Sequence, residues 1–210
     1  MTPKNKPSFF ITFEGIDGCG KTTQMELAFE YLTASGLTVY KFREPGSTRV
    51  AEKIREILLH KDNSLSDITE LFLYEAARAE ITEKEIHPAL KKGHTVLCDR
   101  FYDSTTAYQG YGRGLDIKLV KKLHRIAVGD LTPDLTFLFD LDLKTALSRR
   151  GTSPDRLESQ PKAFFERVRQ GFLKIAGEER QRIVVIDAAG SVEDVFGEVK
   201  QHLVGRLGLQ

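Results

Sequence analysis

Gly15, Gly20, Lys21 and Thr22 stand within Gly15-Ile16-Asp17-Gly18-Cys19-Gly20-Lys21-Thr22 at the spacing G-x-x-x-x-G-K-[ST], after an apolar run and before a segment of helical period. That spacing has physical content. Glycines let the backbone turn tightly, so that successive N–H groups, those of Gly18 and Cys19 included, point at one anion, helped by the positive end of the helix that follows. Lys21 then reaches the β- and γ-phosphates as a mobile charge, and the Thr22 hydroxyl, with Thr23 behind it, can ligate Mg²⁺. The loop implies a nucleoside triphosphate site. Cys19 fills a variable position where its N–H matters more than its thiol, and no reactive nucleophile is expected there.

A phosphate loop serves ATPases, GTPases and kinases alike. No N-K-x-D sequence is present to read guanine, and a motor or transporter ATPase would need a longer chain. What remains is a small phosphotransferase, which requires a second phosphate-binding site with arginines of its own. Arg43 follows the apolar run Val39–Phe42, and Arg100 follows Asp99 at the end of Thr95–Asp99. Ligands of open α/β sheets bind beyond the carboxyl ends of the strands, so Asp17, Arg43, Asp99 and Arg100 are expected to face one crevice. Planar guanidinium groups suit bidentate phosphate binding, and an Asp at a core strand end suits a Mg²⁺-bound water. The plainer alternative pairs Asp99 and Arg100 with other surface charges.

The elements that must position these residues are short apolar runs separated by helical segments. Phe9–Phe13, Val39–Phe42, Thr95–Cys98, Leu135–Leu141 and Ile183–Ile186 read as five strands, apolar on both faces and rich in β-branched or aromatic residues. From Lys21 to Ser35 the residues Met25, Leu27, Ala28 and Leu32 keep helical spacing, with Gly36 placed to end the helix. Val50, Ile54, Ile57 and Leu58 form a second apolar stripe. Ser66 to about Lys92 predicts a long helix in which Pro88 kinks or restarts the chain. The pattern predicts an open, parallel, five-stranded α/β sheet with helices on both faces, as in P-loop NTPases. Residues 1–7 read as a flexible tail and 8–210 as a single domain. The segment 148–160 mixes Gly, Pro, Ser and charges and fits neither strand nor helix.

Composition narrows the classes further. The 210 residues are 40% hydrophobic and 29% charged, too apolar for a disordered chain. Lys and Arg number 31 against 30 for Asp and Glu, and a net charge of +1 offers no bulk attraction to nucleic acid or an anionic membrane. Any anion must therefore be bound locally. Cys19 and Cys98 belong to no disulfide framework and no Cys/His cluster of metal spacing, which suits a reducing cytoplasm. The run after Lys4 and Lys6 is broken by Glu14 and lacks a cleavage site, and no stretch approaches the ~20 apolar residues of a spanning helix. Neither secretion nor membrane insertion is expected.

Several further motifs then fall in a telling order: Phe13-Glu14-Gly15 through Thr23, Arg43-Glu44-Pro45-Gly46, Tyr74 through Arg78, Asp99-Arg100 with Ser104 and Ala107-Tyr108-Gln109-Gly110, Gly112-Arg113-Gly114, Pro133-Asp134-Leu135-Thr136, and Asp155-Arg156-Leu157-Glu158. In order and spacing the chain, from about Phe9 to the C-terminal helix, resembles the thymidylate kinases among the nucleoside monophosphate kinases. The resemblance implies ATP and dTMP as substrates, Mg²⁺ as cofactor, dTDP and ADP as products, and a homodimer. It further implies that Asp17 approaches the deoxyribose 3′-OH and the acceptor phosphate, that Arg43 and Arg100 hold that phosphate, and that Arg78 hydrogen-bonds the thymine edge. Tyr74 stands where the family usually stacks a Phe on the base. Tyr108 would pack against C2′ of the sugar, Thr105 and Gln109 would line the base, and Glu44, Pro45 and Ser104 would complete the acceptor site. Spacing alone says less of Tyr74 and Arg78: four apart, they share a helix face and suit a core aromatic beside a surface charge as well as a base pocket.

The same resemblance gives 148–160 a role as a lid. Family members place positive charge over the transferring phosphoryl either from a basic residue in the phosphate loop or from lid arginines. Ile16, Asp17, Gly18 and Cys19 include no base, so the lid must supply it, with Arg149, Arg150 and Arg156 as candidates of the bacterial type. Direct in-line transfer is expected, because His60, His87, His94, His124 and His202 are scattered and none is positioned as a nucleophile.

Overall fold

A computed structural model describes residues 8–149 and 155–209, so the tail expected over 1–7 lies outside the described residues. Five strands, β1 (Phe10–Glu14), β2 (Val39–Arg43), β3 (Thr95–Asp99), β4 (Leu135–Asp140) and β5 (Ile183–Asp187), form one sheet in the order β2-β3-β1-β4-β5. Every pairing is parallel. This is the expected open α/β sheet, with each strand boundary within a residue or so of its apolar run. The central strands are buried on both faces, whereas the edge strands β2 and β5 are half-exposed, as edges that lack a second neighbour must be. Register aligns the carboxyl ends: Phe13 lies opposite Asp99, and Asp99 opposite Arg43.

Alternation along the strands feeds two cores. Ile11, Phe13, Leu97 and Phe137 join a cluster with Met25 and Leu32 of α1 (Lys21–Ala34) and Val195 and Leu203 of α9 (Val192–Leu207). Phe10, Val96 and Cys98 point the other way, toward Ile81 of α3 (Asp67–Ile81) and Val128 of α6 (Ile117–Val128). Each such buried side chain contributes roughly 1.5–3 kcal/mol. Helices therefore cover both faces. Gly36 stands just beyond α1 with φ +81, as its position in the sequence implies.

One helical expectation needs correction, and the restart expected at Pro88 takes a definite form. In α2 (Arg49–Leu59) the buried residues are Ala51 and Leu58, while Val50 and Ile57 face outward, so the apolar stripe is not a core face throughout. The long helix over 66–92 divides into α3, a π-helical turn at Thr82–Ile86, and α4 (His87–Lys91) with Pro88 in its first turn. Proline lacks the N–H that would close the preceding turn, and the chain widens just before it. A second π-helical stretch, Thr106–Gly112, follows the single turn α5 (Tyr102–Thr105). Two helices complete the fold: α7 (Leu143–Ser148), capped by Asp142 on Thr145 N (3.0 Å), and α8 (Lys162–Glu178), which packs on Thr106–Gly112.

Candidate active site

The phosphate loop leaves β1 at the centre of the sheet and ends in α1. Gly20 precedes α1 with no side chain capping the helix and no acidic residue in the first turn, so the orphan N–H groups are available to an anion. Gly18 has φ +87, and a Cβ there would lie 2.2 Å from the carbonyl oxygen of Ala146, so α7 packs directly on the loop. The cleft above, about 1100 Å³, is lined by Gly18 through Gln24, by Arg149 and by the segment from Ala188 into α9. Burial raises the Cys19 thiol and keeps it protonated, as expected of a residue that is no nucleophile, while its N–H donates to the Ile16 carbonyl (3.3 Å).

Beside this loop the charges interlock. Lys21 Nζ lies 3.5 Å from Asp17 and 3.9 Å from Asp99, and the Thr22 hydroxyl donates to Asp99 Oδ2 at 2.6 Å. Arg100 donates to Asp17 (2.5 Å), to the Gly15 carbonyl (2.9 Å) and to Ser104 (3.1 Å), while the Tyr108 hydroxyl reaches Asp17 at 3.1 Å. Burial works against the Arg100 charge, but Asp17, Tyr108 and Asp99 outweigh it and hold the guanidinium well above its ordinary pKa. Arg100 also has φ +71, a conformation that costs a residue with a Cβ on the order of 1–2 kcal/mol. The local holder is Glu14. Its fully buried carboxyl group accepts from Phe101 N (2.7 Å) and Ser104 Oγ (2.5 Å), fixing the turn that follows the strained residue. Burial, with Asp103 nearby, pushes Glu14 up to about 8 against the Ser104 bond, Arg100 and the Phe101 N–H.

A second cleft of about 540 Å³ opens on the far side of Asp17. Glu44, Pro45, Tyr74, Arg78, Arg100, Ser104, Thr105, Tyr108 and Gln109 all line it with Asp17, so the residues assigned to the acceptor from the sequence are brought together, Arg43 excepted. Arg78 is fully buried there, donating to Glu44 (2.8 Å), Glu75 (2.7 Å) and Thr105 (2.8 Å). Glu75 in turn holds His124 at 2.8 Å, whose other ring nitrogen meets Thr106 at 2.9 Å. Burial, with Glu75 nearby, pushes Glu44 up to about 7 against the pull of Arg78. Desolvation raises the Tyr74 phenol and keeps it neutral.

Two basic residues, Arg43 and Arg156, do not stand where the sequence placed them. Arg43 is bound bidentately by Glu52 (2.9 Å to each oxygen), is about half exposed, and does not line the cleft. Arg156, expected over the transferring phosphoryl, donates to the Leu58 carbonyl (2.7 Å) and to Glu70 (2.5 Å) on the outer side of the acceptor cleft. Those acceptors satisfy a guanidinium that would otherwise be desolvated alone. Arg150 lies outside the described residues, as do residues 151–154 of the lid expected over 148–160; Arg149 lines the phosphate-loop cleft, and Asp155, Leu157 and Glu158 line the other.

Sequence reasoning missed four residues that matter here. Arg55 lines the acceptor cleft, donates to the Pro45 carbonyl (3.1 Å) and pairs with no carboxylate among the described residues; burial and Arg43 lower its pKa. Nothing in the sequence set it apart from Arg49 and Lys53 of the same helix. Glu14 looked like the residue that broke an apolar run, yet it is the last residue of β1. Glu70 and Arg113 meet each other at 3.0 Å, across a sequence separation that leaves no local signature.

A phosphate loop at a sheet's switch point, facing a second cleft lined by arginines, defines the class of small P-loop phosphotransferases. Among the described residues no helix is long and apolar enough to cross a membrane. The family model described as thymidylate kinase matches residues 13–199. The chain is 45% identical over 199 residues to a thymidylate kinase of Thermoanaerobacter sp. (strain X514), covering 92% of this chain and 98% of that one. It is 48% identical over 197 residues to that of Kosmotoga olearia, covering 93% and 95%. The crystal structure of thymidylate kinase from Ehrlichia chaffeensis superposes with a TM-score of 0.77 at 40% identity, covering 93% of this chain and 98% of that one. The chain belongs to the thymidylate kinase family.

Proposed function

We propose that the chain transfers the γ-phosphoryl group of ATP to the 5′-phosphate of dTMP, giving ADP and dTDP. One observation supports this above others: Asp17, Lys21 and Arg100 form the partition between the two clefts, so a triphosphate on one side and a monophosphate on the other would meet across shared charge. Lys21 leaves Asp17 and Asp99 to grip the donor's terminal phosphates. Arg100 and Arg55 hold the acceptor phosphate, with Arg43 at the rim. Asp17 keeps Arg100 aimed and offers its other oxygen to the sugar, and Tyr108 closes the side where a 2′-hydroxyl would project. Tyr74 and Arg78 sandwich and read the base, Thr105 and Gln109 line it, and Glu44, Pro45 and Ser104 shape the wall.

Positioning and charge stabilisation are sufficient for phosphoryl transfer, and the scattered histidines supply no intermediate carrier. The Thr22 hydroxyl and the Asp99 carboxylate are hard oxygen donors 2.6 Å apart, a set that suits Mg²⁺ once waters and phosphates complete its shell. When bound, Mg²⁺ neutralises the charge that builds on the phosphates. Residues 8–210 act as one catalytic domain with 148–160 as its lid, in which Arg149 and Arg150 serve the donor side. Val50, Ile57, Ile68 and Phe72, exposed on the packed helices α2 and α3, support a second copy of the chain as partner. Buried free thiols at Cys19 and Cys98 accord with work in the cytoplasm.

The test is an acceptor screen with ATP as donor and dTMP, dUMP, UMP, AMP and thymidine as acceptors. dTMP is expected to be preferred. Preference for thymidine would remove the phosphate from Arg55 and Arg100 and overturn the reading.

A further inference from the structure

Glu70 is only 1% exposed, and it gathers groups from three parts of the chain. One carboxylate oxygen accepts from Gln109 Nε2 (2.8 Å) and Arg113 Nε (3.1 Å); the other accepts from Arg113 Nη2 (3.0 Å) and Arg156 Nη2 (2.5 Å). Burial alone would raise its pKa, but the bonds from Arg113, Gln109 and Arg156 win and hold the carboxyl below its ordinary value. Ionised, it can only accept. Gln109 must therefore turn its NH₂ toward Glu70, and the carbonyl oxygen of the same amide is left for the cleft that Gln109 lines. The second oxygen ties down the chain bearing Asp155, Leu157 and Glu158, the outer wall of that cleft, because Arg156 also holds the Leu58 carbonyl.

We propose that Glu70 is a positioning residue for acceptor choice: it fixes the Gln109 amide with its oxygen toward the base and clasps the outer wall through Arg156. This rests on the reading of the cleft as the dTMP site. An oxygen presented there accepts a hydrogen bond from a ring N–H, as the N3 of a 4-oxopyrimidine offers. It opposes the bare lone pair at N3 of a 4-aminopyrimidine. Glu70 touches neither base nor phosphate; it acts through Gln109 and Arg156.

The experiment compares steady-state kinetics of wild type, Glu70→Gln and Glu70→Asp with dTMP and with dCMP, alongside the KM for ATP. A glutamine at 70 accepts or donates, so it no longer dictates the Gln109 amide. The preference for dTMP over dCMP in kcat/KM is expected to fall by about tenfold or more, with KM for dTMP raised and KM for ATP unchanged. Aspartate remains acceptor-only and is expected to restore the preference. An unchanged preference in Glu70→Gln, or KM values for ATP and dTMP rising together, would overturn the proposal. Should Glu70→Gln show no cooperative melt, Gln109→Met takes its place: loss of preference supports the proposal, and its retention overturns it. A wild-type chain that leaves dTMP unphosphorylated would instead overturn the reading of the cleft itself, and this inference with it.

Discussion

Arg156 shows how much a single partner changes what a residue is for. Read in the sequence, an arginine in a turn-rich, polar segment is a mobile charge, and its truncation would lower turnover while sparing stability. In the structure its guanidinium is largely buried on Glu70 and the Leu58 carbonyl. Removing it strips one donor from a desolvated carboxylate that keeps Arg113, a loss of about 1–3 kcal/mol. In a domain of this size that corresponds to roughly 2–4 °C in Tm per kcal/mol. Arg156→Ala is therefore expected to melt several degrees below wild type and to raise KM for dTMP. A calorimetric scan matching wild type with kcat alone abolished would restore the residue to the phosphoryl group. Lys21→Ala separates cleanly from this: its partners Asp17 and Asp99 lie beside open clefts, so kcat is expected to fall by at least about a hundredfold with little change in melting. The phosphate loop was legible because its chemistry is local, four positions in eight residues. The Glu70 cluster was not, because no periodicity links residues 86 positions apart.

Elements decide whether those side chains arrive in register. The apolar runs placed all strands, since a central parallel strand must be apolar on both faces and that pattern survives in sequence. Helix faces were harder. Val50 and Ile57 continue the stripe of Leu58 but look outward, because the amphipathic period marks an apolar face without saying what covers it. Loop-to-helix contact is equally invisible, yet it yields a sharp test at Gly18. A methyl group there meets the Ala146 carbonyl at 2.2 Å in a conformation with φ +87, so α7 or the loop must shift. Gly18→Ala is expected to lower Tm and raise KM for ATP together. Gly36→Ala, with φ +81 but open space around it, is expected to cost about 1 kcal/mol and leave ATP binding intact. Equal KM values for the two variants, measured by coupled assay, would separate α7 from the donor site.

Across the whole molecule, buried carboxyls tie stability to pH. Burial, with Glu75 nearby, pushes Glu44 up to about 7. Its folded form thus holds a proton that the unfolded chain has already released above the ordinary carboxylate range. The stabilisation is present at low pH and is lost as pH rises through about 7. Wild type is expected to melt lower at pH 8 than at pH 6, and Glu44→Gln to reduce that difference. A wild-type Tm that climbed across this interval in step with the variant would contradict the assignment. The central claim, that two clefts share one charged partition so that phosphate passes from ATP to dTMP, is tested most directly by following the label from γ-labelled ATP with and without dTMP. Label is expected to appear in dTDP, with little inorganic phosphate released when dTMP is absent. Release to water at the same rate whether or not dTMP is present would contradict it.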